Sequence, residues 1–372
     1  MVYIGLFVLT AALTLLDLVD GDRYGVKRGT FVGVLLLLIL VSALRWETGP
    51  DWDSYFNFFE HIDEFVDGTS INFFEPGYTA INWFFSVNNL SYTAMLAFLA
   101  VVTIGVKGIV FLRYPRILFL LLFLYYAYYL ADIISVRQFT AVALCLFSLK
   151  YIEQRQFWYF LATVLVATTI HVSSLFFVVA YWLFRVRLSD KFLYIGLAVG
   201  FLMGLVDITS WLVNLVVSVV GVDASVADKV LRYGDEGLET SHANPYISYA
   251  LGFFKRALIL PILIFGRRMV PYKDEGWYSG QLNLLVFGNM IYFVFILNVP
   301  VITRLALPFL YMEIFLLASL VSSIKDFKLR VVSILLVIAF GAVRLYMFMA
   351  PYWDLYVPFQ TIFGENNLLN RY

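Results

Sequence analysis

Long apolar runs follow one another along this chain with little between them, and this succession limits what the chain can fold into. Hydrophobic residues make up 62% and charged residues only 14%, where a soluble domain carries about 25% charged residues. The polar skin that a large soluble core requires is therefore missing. Outer-membrane barrels alternate apolar and polar residues over segments of roughly ten, whereas these runs are continuous. The expected fold is all-α: one polytopic membrane domain, residues 1–372, with about 12 transmembrane helices. At about 20 residues per crossing, some shorter or tilted, spans fall near 2–19, 29–45, 91–112, 116–131, 135–152 and 156–170. Others fall near 172–185, 191–219, 246–266, 279–298, 303–323 and 329–349. The first segment has no basic leader and no small-residue cleavage site, and reads as a retained span.

Positively charged loops set the orientation. The groups Arg23/Lys27/Arg28, Arg113/Arg116, Lys150/Arg155, Arg185/Arg187/Lys191, Arg267/Arg268/Lys273 and Lys325/Lys328/Arg330 share one side if the short stretch 76–89 does not cross. Two longer loops, about 46–90 and 220–245, then face outward. The first is acidic, and Tyr55, Phe58, Phe59, Ile62 and Phe65 share one helical face, as in a helix lying in the membrane interface. The second is polar, with Asp223, Asp228, Lys229, Arg232, Asp235, Glu236, Glu239 and His242. A single cysteine, Cys145, supports no disulfide framework, and three histidines without a close His/Cys pair give no zinc pattern. No glycine-rich phosphate loop follows a strand, and no nucleic-acid signature appears. No metal and no cofactor are expected.

Charge inside such an apolar chain marks candidate function. Arg137 opens a helix in Val136-Arg137-Gln138-Phe139, where free N–H groups, a guanidinium fork and the Gln138 amide together suit a phosphate. The competing reading is an Arg137–Asp132 salt bridge that pins a turn. Arg304 begins another outward helix end and repeats the pattern, as two arginines on one diphosphate would; interfacial snorkelling is the alternative. Arg45 ends a span and opens Trp46-Glu47-Thr48-Gly49-Pro50-Asp51-Trp52-Asp53-Ser54-Tyr55. There Asp51 and Asp53 lie beside aromatic rings, which suits sugar hydroxyls or a base acting on one, or else a capped interfacial turn. His171 sits between two helices, suited to proton transfer or to a structural hydrogen bond. Lys255 and Arg256 diverge by roughly 100° on one helix, so one of them should face a polar cavity, and Arg256 joins the anion candidates. Arg344 and Arg232 are weaker ones.

Four ordered boxes give the chain a resemblance. Arg45-x-x-x-Gly49-x-Asp51-x-x-x-Tyr55, Phe74-Glu75-Pro76-Gly77-Tyr78, Val136-Arg137-Gln138-Phe139-Thr140-Ala141 and Ile170-His171-Val172-Ser173-Ser174 together resemble the EpsG/Wzy-type polysaccharide (O-antigen and exopolysaccharide) polymerases. Arg304 matches a further arginine of the family's late region. The second aspartate, Asp53, departs from the family box, and the 220–245 loop matches none of it. The resemblance implies a membrane glycosyltransferase in the bacterial cytoplasmic (inner) membrane, working on its outer side. It would transfer a growing glycan from an undecaprenyl-diphosphate carrier to the end sugar of another lipid-linked repeat unit. Arg45, Arg137, Gln138, Arg256, Arg304, Tyr55 and Glu75 would hold diphosphate and glycan, and Asp51, Asp53, His171 and Arg137 would serve the chemistry. The partners implied are the lipid-linked oligosaccharide, membrane lipid and a chain-length regulator protein, with no nucleic acid. Two other readings stay open: a ligase that uses another acceptor, and a flippase for lipid-linked oligosaccharide. The latter calls for cations along a whole central cavity and for pseudo-symmetric halves, and no internal repeat is visible.

Overall fold

A computed structural model describes residues 2–18, 24–68, 74–134, 137–206 and 245–364. The 220–244 part of the second polar loop, Arg23, Arg232 and the 207–219 end of one expected span lie outside them, as do Ser135 and Val136. The described residues are helical, and their only β pairing is an isolated antiparallel bridge between Arg45 and Thr361.

Five helices are long and apolar enough to cross a membrane: Gly25–Ala43, Tyr92–Phe111, Tyr249–Gly266, Pro300–Ser323 and Phe327–Tyr356. Four more, Val2–Leu18, Leu118–Tyr128, Phe157–Ile170 and Val172–Leu183, are apolar but shorter. This is a multi-pass membrane protein. Leu118–Tyr128 has 11 residues and rises only about 16 Å, half of the ~30 Å apolar thickness of a bilayer. Its N-terminus is held by Asp17, whose carboxylate accepts the Phe119 and Leu120 N–H groups at 2.9 and 2.8 Å. The stretch expected not to cross forms the helix Pro76–Val87, with proline in its first turn, where the missing N–H leaves no bond unmade.

The chain falls into two compact units, each described by itself: Met1–Leu175 with Ile324–Tyr372, and Phe176–Ser323. In the first, Trp52–Glu60 and Ile62–Val66 carry the aromatic face of the acidic loop. That face packs on protein. Tyr55, Phe58 and Ile62 are buried against Tyr78, Phe85, Tyr92 and Met95. The expectation of an interface-lying helix is corrected accordingly, because amphipathic spacing marks an apolar partner without saying whether it is lipid or protein.

The second unit is built on small residues. Gly196, Gly200 and Gly204 recur every four positions, and a Cβ on the latter two would strike Met290 Cα at 2.9 Å and the Phe293 carbonyl at 2.0 Å. Asp190–Gly204 therefore lies directly on the backbone of Tyr272–Phe295, the close approach small residues allow inside membranes.

Candidate functional site

In the first unit, all four boxes converge. Helix Pro76–Val87 meets the end of helix Phe157–Ile170 at Gly77, where a Cβ would lie 2.4 Å from Thr169 Oγ1 and 2.7 Å from its carbonyl oxygen. Only glycine admits that approach, and it sets Glu75 beside the His171 break. Glu75 Oε1 accepts the Val172 N–H at 2.9 Å. Its Oε2 stands 3.1 Å from Arg137 Nη1, an ion pair not aligned as a hydrogen bond. The Arg137 guanidinium lies over Phe74 at 4.7 Å and near the rings of Tyr55 and Tyr78 at 5.9 and 6.0 Å. Arg137 also stands at the N-cap of the helix Gln138–Glu153 without a side-chain cap bond, and a helix start favours an anion. The Arg137–Asp132 bridge does not form, because Asp132 is taken by Lys107.

The Arg45 box forms a turn that glycine makes possible. Gly49 has φ +100°, and a Cβ there would sit 2.3 Å from Ile134 Cγ2. The C-terminal segment runs along this turn: Gly49 N–H donates to Leu355 O, Trp46 N–H to Gln360 O and Ile362 N–H to Leu44 O, each at 3.0 Å. Under this cover Arg45 is 1% exposed. Its Nη1 donates to Ser42 O at 2.8 Å and to Ile133 O at 3.3 Å, while its Nε has no partner. Among the described residues no carboxylate pairs with it. The hydroxyls of Tyr92 and Tyr3 lie within electrostatic range of this cation, and both are buried without a hydrogen-bond partner. Trp52 Nε1 is buried and unpartnered as well, its ring meeting Tyr92 at 5.8 Å. A donor left so is worth about 1–3 kcal/mol to whatever satisfies it.

Asp51, at the N-cap of helix Trp52–Glu60, and Asp53, in its first turn, are exposed. His171 is buried, with Nδ1 2.7 Å from Ser173 Oγ and accepting the Ser173 N–H at 3.3 Å. Arg344 stacks on Tyr128 at 4.1 Å. No three His, Cys, Asp or Glu side chains converge as metal ligands among the described residues.

In the second unit, Lys255 and Arg256 line a space of only about 10 Å³, the size of one water, with Ile259, Leu260, Asn289 and Glu313. Arg256 Nε donates to Asn289 Oδ1, Nη1 donates to Gly252 O at 3.1 Å, and its guanidinium lies 3.5 Å from the Tyr292 ring centre. Arg304 is exposed on the short 3-10 helix Pro300–Ala306.

The sequence model of the EpsG family matches residues 30–361, most of the chain. The chain belongs to the EpsG family. No curated protein and no solved structure matches it. EpsG membership suggests a polysaccharide polymerase in general terms. The matched region takes in the Arg45, Glu75, Arg137 and His171 boxes. What sequence reasoning missed in this EpsG chain is the Glu75–Arg137 pairing and the Lys107–Asp132 pair. Pairings between residues 62 and 25 positions apart leave no local periodicity to read.

Proposed function

We propose that this protein transfers a growing glycan from an undecaprenyl-diphosphate carrier to the end sugar of another lipid-linked repeat unit, at the outer face of the bacterial cytoplasmic membrane. In this reading about twelve segments cross or enter the bilayer, the shorter ones tilted or stopping part-way. The observation that carries the proposal is Arg45: a buried cation with an unpartnered Nε and no carboxylate, among buried hydroxyls that also lack partners. Such a site is preorganised for an anion, and preorganised donors stabilise a leaving group as its charge develops.

The acceptor hydroxyl oxygen forms a bond to the anomeric carbon as the carbon–oxygen bond to diphosphate breaks. The hydroxyl proton passes to a base, and the lipid diphosphate leaves. Arg45 and Arg137, with the N–H groups opening helix Gln138–Glu153 and the Gln138 side chain, take the diphosphate charge. Glu75 holds Arg137 until substrate arrives, and Glu75 or His171 takes the proton. Tyr55 and Phe74 offer ring faces to a sugar. Arg256 and Arg304, which belong to the second unit, are candidates for lipid or glycan contacts of that unit's own, and Asp51 and Asp53 for sugar contacts at the surface. The donor is already activated, so no nucleotide is required.

The test is reconstitution of the purified protein with a lipid-diphosphate-linked repeat unit and no nucleotide sugar. A ladder of products that inorganic diphosphate suppresses is expected. Passage of the lipid-linked repeat across liposomes without any ladder would overturn the proposal in favour of a flippase, and transfer to a non-repeat acceptor alone would favour a ligase.

A further inference from the structure

Arg137 stands at the N-cap of the helix Gln138–Glu153, shortly after the short helix Ala131–Ile134. One side chain from a third helix grips both of these helices. Lys107 Nζ is paired with the Asp132 carboxylate before Arg137 and donates at 3.2 Å to Phe139 O after it. Both side chains of the pair are fully buried. One turn earlier on the Lys107 helix, Thr103 Oγ1 lies 2.6 Å from Thr140 Oγ1 and ties down the same helix start. A π-helical turn, Val101–Gly105, directly precedes the helix Val106–Phe111 that carries Lys107. Such turns re-aim the residues that follow them and recur at functional sites.

The short helix Ala131–Ile134 also reaches Arg45. Ile133, next to Asp132, supplies the carbonyl that Arg45 Nη1 binds, and Ile134 packs on Gly49. A displacement of residues 131–134 would therefore move a hydrogen bond of Arg45 as well as the base of Arg137. Stability alone does not account for the pair. Removing two charges from water costs several kcal/mol per ion, and replacing a buried pair by apolar residues of similar volume is often neutral or stabilising.

We propose that Lys107 and Asp132 are positioning residues that hold Arg137 and Arg45 in register with each other. The rate arm of the test rests on the polymerase reading above; the exchange arm does not. The full-length protein in nanodiscs is compared with two double variants. Lys107→Met with Asp132→Leu removes the tether and keeps the volume. Lys107→Gln with Asp132→Asn keeps a hydrogen-bonded tether without charge.

The apolar variant should keep its Tm or raise it. Amide exchange over 131–139 should accelerate about tenfold or more, while 118–128 keeps its rate. Its kcat for polymerisation should fall about 100-fold with KM within about threefold, the size of effect a misplacement near 1 Å produces. The amide variant should restore slow exchange and most of kcat. Unchanged exchange over 131–139 in a folded apolar variant would overturn the proposal, and so would faster exchange throughout with a lowered Tm. If the apolar variant does not fold, fast exchange over 131–139 in a folded amide variant would overturn it, and slow exchange with retained kcat would support it. Failure of the wild type to polymerise would count against the polymerase reading, and the exchange arm would still decide the positioning role.

Discussion

Glu75 and Arg137, 62 residues apart in sequence, face each other at 3.1 Å, and the other Glu75 oxygen is bound by the Val172 N–H next to His171. The carboxylate thus occupies the position that an anionic ligand of Arg137 would take, and it sits where a proton could be received. These two roles make opposite demands on a substitution. Glu75→Gln removes the competing charge and leaves a side chain of the same shape, so inorganic diphosphate should bind about three- to tenfold more tightly, a gain of about 1 kcal/mol. Polymerisation should nevertheless slow about 100-fold or more if Glu75 takes the acceptor proton. Calorimetric titration with diphosphate and a single-turnover polymerisation assay separate the two. Weaker diphosphate binding in a folded variant would show that Glu75 only organises Arg137.

Gly77 joins the Glu75 box to the His171 break. Gly77→Ala places a methyl group 2.4 Å from Thr169 Oγ1 and 2.7 Å from the Thr169 carbonyl oxygen. The hydroxyl can rotate away, but the carbonyl can retreat only if the helix end moves. Overpacking of this kind costs about 1–3 kcal/mol, read as a fall in thermal stability in detergent. Adding Thr169→Ala removes the Oγ1 clash and leaves those with the carbonyl oxygen at 2.7 Å and with Cβ at 2.8 Å, so it should restore only part of the loss. Full restoration would mean that the backbone contact yields at no cost.

Most helices were legible because membrane-crossing segments are written in continuous hydrophobicity, which depends on no distant partner. The expected spans 91–112 and 156–170 appear as Tyr92–Phe111 and Phe157–Ile170, within a residue or two. The proline at position 76 marked its helix start through the same local logic. The crossing number was less legible, since a run such as 116–131 contains a helix of only 11 residues and then a turn buried in the unit. Within the site, Arg45 and Arg137 stood out as guanidiniums in apolar sequence. Their ranking did not, because it depends on which carboxylate folds against each. Arg137 has Glu75, Lys107 has Asp132, and Arg45 has none among the described residues.

Asp51 belongs to the Arg45 box and Asp53 stands two residues further on, and both are exposed. Asp51→Asn and Asp53→Asn should each leave stability within about 0.5 kcal/mol, as exposed substitutions usually do. Polymerisation should stay within about threefold of wild type if the base lies in the buried cluster. Loss of the product ladder at unchanged Tm would instead place the base on one of these two aspartates.

Arg45 and Arg137 should respond differently to lysine. Arg137 lies 15% exposed against aromatic rings with a carboxylate beside it, so Arg137→Lys keeps the ion pair and loses mainly the planar stack. Arg45 is 1% exposed; its Nη1 alone serves Ser42 O and Ile133 O, and Nε is left to spare. A lysine there could keep those two bonds but has no second nitrogen to offer a ligand, and it has a more strongly hydrated charge to bury. Arg45→Lys should therefore lower kcat by about 100-fold or more, comparable to loss of an oxyanion donor, while Arg137→Lys should cost about tenfold. Thermal unfolding beside single-turnover rates checks both. Equal losses at the two positions would mean that the unpaired, buried state of Arg45 gives it no special hold on the leaving diphosphate.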